Sequence, residues 1–129
     1  MDGIKWIGSP NHYKRPLGLQ GDAHHLAHQA GYLTGTDSLF QNPNRQASST
    51  YGIGPNGEIH QYVAESDAPW TDSNHASNCQ TISIEHQGGM DFIPCTQACH
   101  DASARLCADI ARRYGWPKLV HGVNVFLHR

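Results

Sequence analysis

The feature that most constrains the fold of this chain is a pair of alternating segments joined at Asn56-Gly57. Asn-Gly is the dipeptide best suited to the positive φ angles of a tight turn between antiparallel strands. Ser48 to Ile53 precede the turn, and Glu58 to Val63 follow it. The pattern predicts a β-hairpin over residues 47–63.

A further strand is predicted about twenty residues after the hairpin, at Thr81-Ile82-Ser83-Ile84-Glu85. Alternation places Ile82 and Ile84 on one face and Glu85 on the other, at the strand's end. A carboxylate in that position can act as a general base on a metal-bound water and then return the proton to a leaving amine. The alternative interpretation is a solvated carboxylate on a half-exposed sheet.

Strands and helices alternate along the rest of the chain. Residues 23–29 are expected to form the first strand, and a short helix is expected over 36–40, capped by Thr36 or Asp37. Apolar residues recur every three or four positions from Thr96 to Tyr114, which predicts a long helix capped by Thr96 and ended by Gly115. Short strands are expected at 118–121 and 123–127.

This order predicts an α/β fold with a central mixed β-sheet flanked by helices. We expect a single domain over residues 1–129, of which 1–22, rich in Gly and Pro, form an extended N-terminal arm. Cys99 and Cys107 fall on the apolar stripe of the long helix and are expected to be reduced core residues. A disulfide that involves Cys79 or Cys95 is the alternative.

Charge and hydropathy exclude two classes of partner. The net charge is −2 with neutral histidines, whereas nucleic-acid-binding proteins usually carry a basic face. No apolar run approaches the roughly 20 residues that a membrane span requires. The N-terminus has no charged-then-apolar secretion signal, so we expect that this sequence does not encode an export route or that the signal has been removed. The ten histidines raise the expectation of a metal site.

Together, the hairpin, the loop Glu65 to Thr71 with its Trp70, and the strand that ends in Glu85 resemble the type-2 N-acetylmuramoyl-L-alanine amidases. These are related to peptidoglycan-recognition proteins and occur as catalytic domains of cell-wall lysins. The resemblance implies a zinc-dependent hydrolase that cleaves the amide between N-acetylmuramic acid and L-Ala, with Glu85 as the catalytic acid/base. It also implies a monomer that acts on peptidoglycan in the cell wall.

The resemblance implies zinc ligands at both ends of the chain. His128, in His128-Arg129, matches one imidazole ligand of the family, and His121 is the alternative in a shorter register. The other ligand is assigned to His28 by a one-residue slip; the ungapped match falls on Ala27. The family's third ligand lies beyond the His-Arg pair, where the sequence ends, so we expect an incomplete site or one completed by His24 or His25.

Two further residues are implied to contact substrate. Trp70 and Thr71 occupy the place where related amidases carry a Trp followed by His or Thr beside the cleft. Packing of Trp70 against the edge of the hairpin is the alternative. The rival function is a non-catalytic peptidoglycan-binding module of the same fold, which the ungapped match to Ala27 favours.

Overall fold

The residues that the structure describes form a six-stranded mixed sheet, as the sequence predicts. The computed structural model describes residues 3–14, 23–29, 33–45, 48–69, 81–87, 96–113, 115 and 125–128. The strands are β1 (Ile4–Trp6), β2 (His12–Lys14), β3 (Ala23–Gln29), β4 (Tyr51–Ile53), β5 (Ile59–Gln61), β6 (Asp67–Pro69), β7 (Thr81–Gln87) and β8 (Val125–His128). The helices are α1 (Leu33–Gln41), a short 3-10 turn (Pro43–Arg45) and α2 (Gln97–Arg113).

The order of strands across the large sheet is β1-β5-β4-β7-β3-β8. The β4–β5 hairpin is antiparallel, and every other pairing in this sheet is parallel. β2 and β6 pair antiparallel in a separate two-stranded sheet. The predicted first strand, the hairpin and the strand that ends near Glu85 are therefore confirmed.

Helix α2 covers one face of the large sheet. The core on this face contains Ile82 and Ile84 of β7, Tyr51, Ile53 and Ile59 of the hairpin, and the apolar stripe of α2, formed by Cys99, Ala102, Leu106, Cys107 and Ile110. Cys99 and Cys107 are free and buried, which confirms their assignment to the core. Cys79 and Cys95 lie outside the described residues.

Helix α2 begins and ends where its sequence predicts. The hydroxyl of Thr96 accepts a hydrogen bond from the Cys99 amide at 3.1 Å, which is the N-cap interaction. The same hydroxyl donates to the Pro55 carbonyl and so ties the start of the helix to the hairpin turn. Gly115, with a φ of 75°, follows the last turn.

Two parts of the sequence interpretation are corrected. The N-terminal arm is not merely extended chain, since it contributes β1 to the large sheet and β2 to the small one; strands of three residues are too short to show a period. Helix α1 begins at Leu33, so Thr36 and Asp37 lie inside it and do not cap it. The strand predicted at 118–121 lies outside the described residues.

The hairpin turn is wider than a two-residue Asn-Gly turn. Its hydrogen bond runs from the Gly57 amide to the Gly54 carbonyl at 3.1 Å, so Pro55 and Asn56 are the central residues and Gly57 is the last. Gly57 has a φ of 82°, and a Cβ atom placed there would lie 3.1 Å from the Ala98 carbonyl oxygen of α2. Glycine is therefore favoured at position 57 both by the positive φ angle and by the close approach of the α2 backbone.

Replacing Gly57 by Ala should destabilise the protein through both effects, by roughly 2–3 kcal/mol. Gly115→Ala is the matched control, because Gly115 also has a positive φ but has nothing within 4 Å of its Cβ position. The control should cost roughly 1 kcal/mol from backbone strain alone. Urea denaturation measures both; equal losses would show that the contact between the turn and α2 contributes nothing.

Candidate functional site

Strand register brings six residues into one line across the large sheet. Glu85 pairs with Gly52 of β4 on one side and with Ala27 of β3 on the other. Beyond Gly52 the line continues through His60 of β5 to Lys5 of β1, and beyond Ala27 it reaches His128 of β8. We call this line the cross-strand row: Lys5, His60, Gly52, Glu85, Ala27 and His128. Residues paired directly across strands lie on the same face of a sheet.

The row lies on the face opposite to α2. Ile84, the residue before Glu85, is fully buried in the α2 core, and successive residues of a strand alternate between faces. On the row's face, Ser83 and Thr50 join β7 to β4 through two hydrogen bonds. The Thr50 amide donates to Ser83 Oγ at 3.1 Å, and the Ser83 amide donates to Thr50 Oγ1 at 3.2 Å. These bonds fix the register of β7 against β4 two residues before Glu85.

Burial perturbs the chemistry of Glu85. Removal from water disfavours the charged carboxylate and raises the pKa of Glu85 from 4.5 to about 7. A carboxyl group with this pKa exchanges its proton readily near neutral pH, which is the property required of a general acid/base. The catalytic role of Glu85 stays a prediction.

Asp37 of α1, His60 of β5 and Tyr62, just after β5, form a hydrogen-bonded group. The Asp37 Oδ1 atom lies 2.9 Å from His60 Nδ1 and also accepts a hydrogen bond from the Tyr62 hydroxyl. Burial raises the pKa of Tyr62, and hydrogen bonding to Asp37 and the charges of Asp37 and Glu85 raise it further. The Tyr62 hydroxyl thus keeps its proton and lies within electrostatic reach of Glu85.

The sequence analysis did not identify His60 or Asp37. The hairpin could have identified His60, because pairing across the turn decides which residue of β5 lies beside Gly52. Without the turn geometry the register could not be derived. A two-residue Asn56-Gly57 turn would pair Gly52 with Gln61, whereas in the observed turn the Gly54 amide donates to the Glu58 carbonyl and Gly52 pairs with His60. The contact with Asp37 depends on the position of α1, which no local pattern specifies.

The predicted metal ligands fall at different register positions. His128 lies in the cross-strand row, and so does Ala27. His28 pairs with His86, whose Nε2 lies 2.7 Å from Ser103 Oγ of α2, on the opposite side of the sheet from the row. The register therefore brings His128 and Glu85 to one row but not His28, whose role as a ligand stays a prediction.

The donor set for a metal ion is not complete among the side chains that the structure describes. No three His, Cys, Asp or Glu residues of that set come close enough together to hold a metal. Side chains of β3 and β8, including His24, His25, His28 and His128, lie outside this set, and so do Trp70 and Thr71. Backbone register pairs His24 with Ile82 and His25 with Ser83.

Comparison with known proteins agrees with this fold. A family model described as N-acetylmuramoyl-L-alanine amidase matches residues 22–129. No curated protein matches the chain by sequence. No helix among the described residues is long and apolar enough to cross a membrane.

Solved structures share the fold at low sequence identity. The chain is similar to a selenomethionine derivative of AmpD, with a TM-score of 0.74, 21% identity, and coverage of 99% of this chain and 82% of that one. It is similar to the Staphylococcus aureus hydrolase AmiA in complex with its ligand, with a TM-score of 0.78 and 16% identity. The match covers 97% of this chain and 64% of that one. It is also similar to human PGRP-IBETAC in complex with glycosamyl muramyl pentapeptide, with a TM-score of 0.65 and 16% identity. That match covers 98% of this chain and 83% of the other.

The raised pKa of Glu85 predicts a pH-dependent stability. The folded protein holds this proton more tightly than the unfolded chain does, so its contribution to stability is lost as the pH rises from about 4.5 to about 7. Relative to Glu85→Gln, the wild type should therefore lose about 3 kcal/mol of unfolding free energy across that window. Urea denaturation of both proteins in EDTA measures the difference, and parallel stability curves would contradict the burial of an ionisable Glu85.

Proposed function

Because the chain belongs to the N-acetylmuramoyl-L-alanine amidase family, we propose that it hydrolyses the amide between the lactyl group of N-acetylmuramic acid and L-Ala of the peptidoglycan stem. The observation that carries the proposal is the buried Glu85, which has a pKa of about 7 and stands in one row with His128. The proposed site of action is the bacterial cell wall, and the proposed active form is a monomer.

Glu85 is the proposed acid/base of the reaction. Its carboxylate takes a proton from the attacking water as the water adds to the lactyl carbonyl carbon. The same group then protonates the alanine nitrogen as the carbon–nitrogen bond breaks. A pKa of about 7 suits both steps, because neither protonation state is strongly favoured near neutral pH.

Zinc is the proposed cofactor, with His128 and His28 as proposed ligands. When bound, zinc supplies a Lewis acid and a water of lowered pKa. The position of His128 in the row fits this assignment, since Ala27 alone separates its strand position from that of Glu85. Ala27 offers no donor atom, so an imidazole from β3 requires a one-residue shift that brings His28 into the row.

Trp70 and Thr71 are the proposed substrate contacts. They follow β6 in the sequence, and Pro69, the last residue of β6, pairs with His12 of β2. A Trp ring offers a flat apolar surface against which a sugar or a peptide stem can pack.

A second function is favoured by one observation, the presence of Ala27 in the row between Glu85 and His128. A hydrolytic zinc site normally uses three protein ligands and one water. A site that lacks an imidazole at this position can still bind muramyl peptides without cleaving them. The alternative function is therefore a non-catalytic peptidoglycan-binding module.

Replacing Glu85 by Gln should abolish proton transfer while leaving the fold unchanged, because the two side chains have nearly the same shape. We expect amidase activity on purified cell walls to fall at least about 100-fold, because the general acid/base is lost. Mass spectrometry of released peptides with a free L-Ala amine measures the activity, which EDTA should remove and zinc restore. Glu58→Gln, in the hairpin turn, is the control and should keep full activity.

The two functions give different outcomes in this assay. Release of free stem peptides by the wild type but not by Glu85→Gln supports the amidase. If the wild type releases nothing yet sediments with insoluble cell walls, the binding module is the correct function. Equal release by wild type and Glu85→Gln would exclude Glu85 as the acid/base.

A further inference from the structure

Trp6 is the more exposed of the two large apolar residues that stay open to solvent in the described part of the chain. It is 59% exposed, and the other, Leu39, is 39% exposed. Trp6 is the last residue of β1, at the edge of the large sheet. Lys5, the residue before it, belongs to the cross-strand row, so Trp6 lies on the opposite face from Glu85. Trp6 therefore has no part in the proposed acid/base chemistry.

The turn after β1 supports the indole ring. A Cβ atom placed at Gly8 would lie 3.3 Å from Trp6 Nε1, and 3.6 and 3.7 Å from the adjoining ring atoms Cε2 and Cζ2. Gly8 has a φ of 85°, and the amides of Ile7 and Gly8 both donate to the Gln61 carbonyl, at 2.9 and 3.2 Å. The chain thus turns back against the Nε1 side of the ring, while more than half of the residue stays open to solvent.

The segment that carries the indole is anchored along its length. We call residues 6–11 the Trp6 hook. Ile7 packs against the buried cluster that contains Phe40. The Ser9 hydroxyl donates to the Phe40 carbonyl, and Asn11 Nδ2 donates to the same carbonyl at 3.1 Å. Asn11 is almost fully buried. Because the hook is already ordered in the free protein, a ligand that contacts the indole loses little affinity to the ordering of this segment.

The size of the exposed patch selects the kind of ligand. Trp6 exposes roughly 150 Å², whereas each partner in a specific protein–protein interface buries about 800 Å². Leu39 does not enlarge the patch, because the contact of Asp37 with His60 places α1 on the row's face, on the other side of the sheet. A single sugar ring matches this area. The C–H groups of the sugar can pack on the flat indole, and the indole N–H can donate to a hydroxyl or acetamido oxygen.

We propose that Trp6 is a second contact with the cell wall, whose indole stacks on an N-acetylhexosamine ring of the glycan strand. This rests on the proposed function, which supplies the polymer. Strand β1 is three strands away from β7, roughly 14 Å, and Trp6 and Glu85 lie on opposite faces, so the two contacts are separate. Since the glycan repeats its sugars, a second contact raises the avidity for intact walls and leaves the turnover of a small muramyl peptide unchanged.

Calorimetric titration with the β-1,4-linked hexamer of N-acetylglucosamine, which carries no peptide, tests the proposal. Trp6→Ala should lower the affinity for the hexamer about three- to tenfold, the value of one aromatic stacking contact. Trp6→Phe should keep most of the affinity because it keeps a flat ring, and Trp6→Leu should lose it. Leu39→Ala is the control and should bind as the wild type does. In the wild type, the hexamer should shift the NMR signal of the Trp6 indole N–H.

A pair of glycine variants tests whether the position of the indole matters. Gly8→Ala places a Cβ atom against the ring and should displace it, so the affinity for the hexamer falls although Trp6 is retained. Gly3→Ala is the matched control, because Gly3 also has a φ of 85° but has nothing within 4 Å of its Cβ position. It should bind the hexamer as the wild type does. Melting temperatures check that both variants are folded, and equal affinities would overturn the role of the hook.

The outcomes separate this proposal from the proposed function. Trp6→Ala should sediment less with intact cell walls than the wild type and should cleave a soluble muramyl peptide at the wild-type rate. If it binds the hexamer and the walls as the wild type does, the role of Trp6 is excluded and the amidase assignment stands. If Trp6→Ala instead changes the oligomeric state, the edge of β1 joins two copies of the chain and the proposal is wrong. If the wild type neither sediments with walls nor cleaves muramyl peptides, the proposed function fails and this proposal fails with it.

Discussion

Parallel pairing of β7 with β3 and β4 is the constraint on which the rest of the structure depends. A shift of one residue in a strand moves every side chain to the opposite face, so the register decides which residues can meet. Burial of Ile82 and Ile84 under α2 fixes the register of β7, because the reverse placement would bury Glu85 in the apolar core. The hydrogen bonds between Ser83 and Thr50 fix β4 against it. Glu85 is thereby held beside Gly52 and Ala27.

The two faces of the sheet differ in their surroundings: one packs against α2, and the other carries Glu85. On the α2 face, apolar side chains exclude water, and Thr96 connects the helix to the hairpin turn. Glu65 adds a link at the other end of α2. It accepts hydrogen bonds from Tyr51 and from both terminal nitrogens of Arg113, at 2.7 and 2.8 Å. The opposite face carries Glu85, and burial raises its pKa to about 7.

Local patterns were sufficient where one face of an element is apolar. Strand β7, helix α2 with its Thr96 cap, and the hairpin follow from periodicity and turn residues alone. Sequence did not predict β1 and β2, which are too short to show a period, or the start of α1. His60 was missed because its neighbours come from register and helix packing, which depend on the whole sheet. Trp70 and Thr71 stay predictions.

Ala27 is where the register and the family pattern disagree, and a zinc titration tests it most directly. If the cross-strand row is correct, Ala27→His should place an imidazole between Glu85 and His128 and raise zinc affinity at least about tenfold. His28→Ala should lower zinc affinity, because it removes the proposed ligand, and adding Ala27→His to that variant should restore it, because the register places residue 27 beside Glu85 and His128. The account would be contradicted if Ala27→His neither raised the zinc affinity of the wild type nor restored that of His28→Ala.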